Sequence, residues 1–190
     1  MKNFKTSLFL FTILILGSSN LAADIAVEKE IKKEIEQWGM IDENIYRGAQ
    51  PTKHGLELLK KMGVKTIINL RHEPEEIAQE KEWVEALGMK FIKLPWRIQV
   101  QPKEAVMKDY LEALKKSEDG PFFVHCRRGA ERTGVAEALY LYYNKGFSFD
   151  QAYEKSINGY HTLFYWRPFI KKRFKGFVDA IGPQEKVIQG

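Results

Sequence analysis

The chain has 190 residues, with 30 Lys and Arg against 25 Asp and Glu, a formal net charge of +5, 44% apolar residues and one cysteine. That length suits one hydrophobic core and is short for two ordinary domains. A single cysteine excludes an internal disulfide, and four scattered histidines without ligand spacing imply no metal. So modest a charge, without a recognition motif, implies no nucleic-acid partner.

In chain order, Lys2 and Lys5 precede an almost continuously apolar run over residues 7–16, followed by small residues up to Ala22 and Ala23. Residues 1–23 therefore read as a secretory signal peptide cleaved after Ala23, which predicts an exported protein, periplasmic or secreted. The apolar run is too short for a comfortable membrane span, so no stable insertion is expected after cleavage; an uncleaved anchor is the alternative. Ile25, Val27, Ile31, Ile35 and Trp38 then fall roughly on one helical face, which predicts a helical extension over residues 24–43, either packed on the rest or acting as an arm.

Residues 44–51 read as a short extended segment, Thr52 as the N-cap of a helix ending at Met62-Gly63, and residues 64–70 as a strand. Pro74 opens a helix reaching Leu87-Gly88, residues 89–94 form a strand, and Pro102 begins a helix to about Ser117. A short apolar run, Pro121 to Val124, precedes a segment of helical composition over residues 135–141. Near the end, Lys171, Lys172, Arg173 and Lys175 alternate with Phe169, Ile170, Phe174, Phe177 and Val178, the pattern of an amphipathic helix with a solvated basic face. Strands alternating with helices predict an α/β fold with a mostly parallel central sheet flanked by helices on both faces. Ligands of such sheets bind beyond the carboxyl ends of the strands.

At that end of the last strand stands His125-Cys126-Arg127-Arg128-Gly129-Ala130-Glu131-Arg132-Thr133-Gly134. In a tight loop between strand and helix, successive backbone N–H groups turn towards one centre and the helix N-terminus points at the same spot, so an anion is held by amides and dipole together. The sole cysteine at the base would be stabilised as thiolate there, the form that attacks phosphorus. Arg132 suits bidentate binding of phosphoryl oxygens. Thr133 is placed to hydrogen-bond the sulfur, and His125 to order the loop. Gly129 and Gly134 allow backbone geometry or close approach that a Cβ would obstruct.

Five residues between Cys126 and Arg132 resemble the signature of cysteine-dependent protein tyrosine and dual-specificity phosphatases. A rhodanese loop begins similarly but is typically one residue shorter, and low-molecular-weight phosphatases carry their cysteine near the N-terminus. Tyr46-Arg47-Gly48-Ala49-Gln50-Pro51 and Lys65-Thr66-Ile67-Ile68-Asn69-Leu70-Arg71 resemble the compact members that act on inositol polyphosphates and pyrophosphates, and their bacterial relatives. The resemblance implies the cysteine-phosphatase fold, a catalytic domain over residues 44–180 with a tail over 181–190, a phosphocysteine intermediate and no cofactor. It further implies catalytic roles for Cys126, Arg132 and Thr133 and a phosphate-binding loop of Arg127, Arg128, Gly129, Ala130, Glu131 and Arg132.

The chain departs from that family in one place. The stretch that usually carries an aspartate as general acid, residues 94–102, holds Trp96 and two prolines but no carboxylate. Glu131 inside the loop is the candidate proton donor, with Glu104 and Asp109 further off; a surface carboxylate paired with loop arginines is the structural alternative for Glu131. Arg127 and Arg128, with Arg97, His161, Arg167 and the run from Lys171 as possible extensions, favour a polyanionic small molecule such as phytate. A secreted tyrosine or dual-specificity protein phosphatase and a non-catalytic phosphoanion-binding module remain the alternatives.

Overall fold

The computed structural model describes residues 24–100, 103–158 and 167–184. The signal-peptide reading, the helix start at Pro102, His161 and most of the expected tail lie outside the described residues. Helix α1 covers residues 24–34. It is followed by β1 (Gly39–Asp42), β2 (Ile45–Gly48), α2 (Lys53–Lys61), β3 (Thr66–Asn69), α3 (Pro74–Ala86), β4 (Lys90–Lys93), α4 (Glu104–Lys115), β5 (Phe122–His125), α5 (Glu131–Lys145), α6 (Phe149–Tyr153) and α7 (Arg167–Ile181). The strands form one sheet in the order β1-β2-β5-β3-β4, in which β1 alone is antiparallel to its neighbour.

The two central strands are buried on both sides, and their alternating side chains divide the interior in two. Ile68 and Val124 face a large core shared with α4, α5, α6 and α7, whereas Ile67 and Phe123 face a smaller one shared with α1, α2 and α3. This explains why β3 and β5 read as continuous apolar runs. Helix α5 lies deepest: most of its turns are buried, so its sequence shows no amphipathic period. At the opposite extreme, β4 places Lys90 and Lys93 in solvent along the sheet edge, a charge pattern that discourages pairing with another chain.

Local chemistry sets the element ends. Thr52 Oγ1 accepts from Gly55 N at 3.1 Å at the start of α2, Pro74 occupies the first turn of α3, and Gly146 ends α5 in a left-handed conformation with φ 70°.

Residues 24–43 are a correction to the sequence reading. The helix stops at residue 34, and residues 39–42 form the edge strand β1, because Gln37 turns the chain with φ 56° and Met40 pairs across to Tyr46. The segment is not a loose arm. Ile31 and Ile35 are fully buried against the sheet, and Trp38 stacks on Tyr46 at 5.2 Å and on Phe123 at 5.9 Å. Ile35→Ala is therefore expected to cost about 2–5 kcal/mol of stability, as a core truncation does; chemical denaturation would measure it, and a surface-like loss under about 0.5 kcal/mol would contradict this packing.

Candidate active site

Strands β2, β3 and β5 run parallel and end level with one another, since His125 pairs in register with Gly48 on one side and Asn69 on the other. The loop of residues 126–130 leaves β5 at this line and must return at once to start α5. Two backbone contacts with the end of β2 fix its path. Gln50 N donates to Arg127 O at 3.3 Å, and Gly129 lies so close that a Cβ there would stand 2.5 Å from Gly48 C and 2.6 Å from Ala49 N. Gly129 also has φ +68°, so both space and conformation require glycine. Gly134 has a different reason, a close approach of α5 to Ser156 O, which a Cβ would meet at 3.0 Å.

Arg47 of β2 holds the loop from below. It is completely buried and donates to Gly129 O, to the Glu137 carboxylate of α5 and, at 3.3 Å, to Ser156 O. Burial pushes the Glu137 carboxyl up, and the Arg47 guanidinium opposes that rise. Helix α5 opens at Ala130 without a side-chain cap, which leaves its first-turn N–H groups for an anion held by the loop. Cys126 sits at the base, a free thiol 1% exposed. Thr133 is also buried, but its Oγ1 has no hydrogen-bond partner. The expected bond from Thr133 to the sulfur is therefore not made here, a correction to the sequence reading.

Arg132 uses one nitrogen to anchor itself. Nη1 lies 3.3 Å from Leu70 O and 3.2 Å from His72 Nδ1, while Nε and Nη2 make no hydrogen bond among the described residues. One edge of the fork is thus held and the other remains for two oxygens of a phosphoryl group. Because a guanidinium only donates, His72 Nδ1 must be the acceptor, which puts the neutral ring's proton on Nε2. His72 lines a cavity of about 270 Å³ with Pro95, Trp96, Arg97, Val100, Lys103 and Val106. Burial holds the His72 imidazole below its ordinary range; Arg132, Arg97 and Arg71 add to this and Glu73 opposes it. Glu73 itself is pushed up by burial, but hydrogen bonds from Arg71 and from backbone N–H groups outweigh that and bring its carboxyl down to about 2.

His125, expected from its position to order the loop, stands among partners that sequence reasoning missed. Its Nε2 lies 2.9 Å from Glu80 Oε1, both side chains being buried, in an approach poorly aligned for a hydrogen bond. Asn69 donates to the other Glu80 oxygen and accepts from Arg71 N at 2.6 Å, and Arg71 reaches Gln50 Oε1 at 3.1 Å. Burial pushes the Glu80 carboxyl up, but His125, Gln50 and Asn69 outweigh it and lower it.

Arg127 and Arg128 are exposed and carry no ion pair among the described residues, whereas Gly129 and Ala130 are buried. Glu131 is half-buried as the first residue of α5 and pairs with none of the loop arginines. Glu104 is tied to Lys108 at 3.1 Å, Asp109 is exposed, and neither lines the cavity. The basic run of α7 is largely engaged: Lys171 with Asp150 at 2.9 Å, Lys175 with Asp179 at 2.7 Å, and Arg173 with Gln99 O at 2.8 Å. Among the described residues no group of three or more His, Cys, Asp or Glu is placed to hold a metal ion, and no helix is long and apolar enough to cross a membrane.

Comparison with known proteins agrees with this geometry. The model of a family described as DSP-PTPase phosphatase fused to NAD+ kinase matches residues 20–162. The dual specificity protein phosphatase TpbA of Pseudomonas aeruginosa is 26% identical over 116 residues, which are 60% of this chain and 50% of that protein. The inositol diphosphatase DSP3 of Arabidopsis thaliana is 31% identical over 101 residues, 51% of this chain and 49% of that protein. The chain thus spans about half the length of these curated relatives. The core catalytic domain of the PP-IP phosphatase SIW14 from S. cerevisiae, solved with citrate, shares the fold with a TM-score of 0.64 at 18% identity, covering 77% of this chain and 89% of that one. The chain belongs to this DSP-PTPase family, within the cysteine-dependent phosphatase superfamily.

Gly129→Ala is expected to lose at least about 1–2 kcal/mol from the left-handed backbone alone, with further loss from the clash against Gly48, and to lower phosphate binding together with stability. Denaturation and phosphate titration of the same variant check both. The depressed Glu73 carboxyl contributes stability that is present above its ordinary value of 4.5 and is lost as pH falls towards about 2. Glu73→Gln should therefore be less stable at neutral pH and show a shallower acid-side decline in denaturation midpoint across that window.

Proposed function

We propose that this member of the family is an exported phosphomonoester hydrolase that works through a phosphocysteine and acts on inositol polyphosphates such as phytate. The observation that carries the reading is a set of cations without carboxylate partners, two on the loop that holds the buried Cys126 and two at the cavity lined by His72. Arg127 and Arg128 on the loop and Arg97 and Lys103 at the cavity have no carboxylate partner among the described residues. A substrate with several phosphates would seat one over Cys126 and leave others near these cations, each gaining Coulomb energy at a partly desolvated rim. The inositol diphosphatase among the relatives supports the same choice.

In the first half-reaction Cys126 Sγ attacks phosphorus, the S–P bond forms, and the bond to the leaving oxygen breaks. Charge on the equatorial oxygens meets the loop amides, the first-turn N–H groups of α5 and the open edge of Arg132. In the second, water attacks phosphorus and the thiolate leaves. The protein pre-arranges this anion site, since Arg47 and Gly129 fix the loop before substrate arrives.

One observation favours a second reading. Pro95, Trp96, Val100 and Val106 give the cavity beside Arg132 an apolar wall, which suits the ring of a phosphotyrosine, and TpbA is a dual specificity protein phosphatase. Phytate, a phosphotyrosine peptide and p-nitrophenyl phosphate assayed together separate the readings.

Cys126→Ser should abolish turnover while retaining phosphate binding; residual turnover near wild type would remove the mechanism. Replacing Arg127 and Arg128 by Ala should raise KM for phytate about tenfold or more, ~1.4 kcal/mol, and KM for p-nitrophenyl phosphate little, with the difference shrinking as salt rises. A preference for the peptide that ignores both arginines would favour the protein phosphatase, and phosphate binding without turnover of any ester would favour a binding module.

A further inference from the structure

The reaction needs a proton for the leaving oxygen, and none of the expected donors Glu131, Glu104 and Asp109 lines the cavity beside the loop. The segment between β4 and α4 has no carboxylate, and Trp96 fills its buried side by packing edge-to-face on Phe177 at 5.3 Å. Glu104 and Asp109 do not line the cavity, and Glu73 is committed to Arg71. One titratable ring both touches the phosphate-gripping arginine and faces the adjoining space. We propose that His72 is the proton donor to the leaving oxygen and the acceptor of the water proton in the second half-reaction. The proposal rests on the phosphatase reading above.

The geometry carries it. His72 Nδ1 is 3.2 Å from Arg132 Nη1, so the ring stands one hydrogen bond from the guanidinium that grips the phosphoryl group, and the same residue lines the cavity into which the rest of a substrate would extend. The ring is about 30% exposed, open enough to exchange a proton with solvent. The charged groups around it come from every neighbouring segment: Arg132 from α5, Arg71 and Glu73 from its own loop after β3, and Arg97 and Lys103 from the segment leading into α4. Glu73 Oε2 lies 3.7 Å from Nδ1 and is the one nearby anion among them.

Burial disfavours the protonated ring, and Arg132, Arg97 and Arg71 add to this while Glu73 opposes it. A phosphoryl dianion between Cys126 and Arg132 favours imidazolium: the added proton enters at Nδ1, which gives up its bond from Arg132 Nη1 and faces Glu73 Oε2 at 3.7 Å, while Nε2 keeps the proton that is passed on. Substrate binding thereby loads the proton that the reaction uses. As Sγ bonds to phosphorus, the electron pair of the breaking P–O bond goes to the leaving oxygen, which takes the proton from His72 Nε2. Neutral His72 then accepts a proton from the attacking water as the S–P bond breaks, returning thiolate, phosphate and imidazolium.

His72→Gln is the discriminating variant, because its amide oxygen still accepts from Arg132 and preserves a merely structural role. The expected result is a fall of roughly 10²–10⁴ in kcat for an alkyl phosphate, a much smaller fall for p-nitrophenyl phosphate, and loss of the basic limb of the kcat profile. The second measurement uses Cys126→Ser protein and inorganic sulfate, which stays dianionic near neutral pH. Calorimetry in buffers of different ionisation enthalpy should show proton uptake on sulfate binding, and none after His72→Gln is added. Equal losses on both esters, unchanged uptake in the His72 variant, or an alkyl-specific loss found only in Glu131→Gln would overturn the assignment. If the wild type cleaves neither ester, the parent reading fails and this one with it.

Discussion

A fully buried guanidinium joins the sheet, the loop and the central helix. Arg47 leaves β2, spends its donors on Gly129 O, Glu137 and Ser156 O, and has no exposure. Taking such a charge out of water costs several kcal/mol unless pairing and hydrogen bonds offset it, so the arrangement tolerates little displacement of any partner. The position of α5 against β2 is thereby set, and with it the direction in which the first-turn amides of α5 point. Gly129 follows from the same contact: the loop carbonyl can reach Arg47 only if the loop backbone lies on Gly48, where no Cβ fits. An anion site made of backbone amides needs such rigidity, because amides that must first be ordered lose part of what they gain on binding.

Above this fixed base the electrostatics are divided. The face of the loop towards α3 is closed by paired groups, His125 beside Glu80 and Arg71 against Glu73 and Glu76. Arg97 and Lys103 at the cavity, and Arg127 and Arg128 exposed on the loop, are free of carboxylate partners among the described residues. Compensated pairs hold structure, whereas uncompensated cations beside a cleft attract anions from solution. The division explains how so modest a net charge coexists with a local cluster of cations lacking carboxylate partners among the described residues.

The strand and helix alternation was legible because β3 and β5 are buried on both faces and read as apolar runs, and because Thr52, Pro74 and the loop glycines mark boundaries. The cradle could be read as a unit for a different reason: its residues are contiguous. What stayed hidden depends on contacts between distant segments. Arg47 and Glu137 are separated by 90 positions, and Asn69 and Glu80 lie on different elements. A faint signal existed in Glu137, a lone acid within the apolar run of α5, and in Arg47, a cation within a strand; neither has a reason to be there without a buried partner. The strand β1 was missed because Gln37 breaks the helix through a positive φ that nothing in its composition announces.

The clamp on the segment before α4 bears on how the site can work. Trp96 packs on Phe177, and Arg173 of α7 donates to Gln99 O at 2.8 Å while lying over Phe169. A loop that delivers an acid by closing must be weakly held in its open state, since the energy of its contacts there adds to the barrier for movement. Here both an indole and a guanidinium tie the segment to a helix of the large core, and it bears no acid to deliver. Its part is that of a wall, apolar through Trp96 and cationic through Arg97. With that side fixed and acid-free, proton chemistry falls to groups already at the carboxyl ends of the strands, where the loop after β3 meets Arg132.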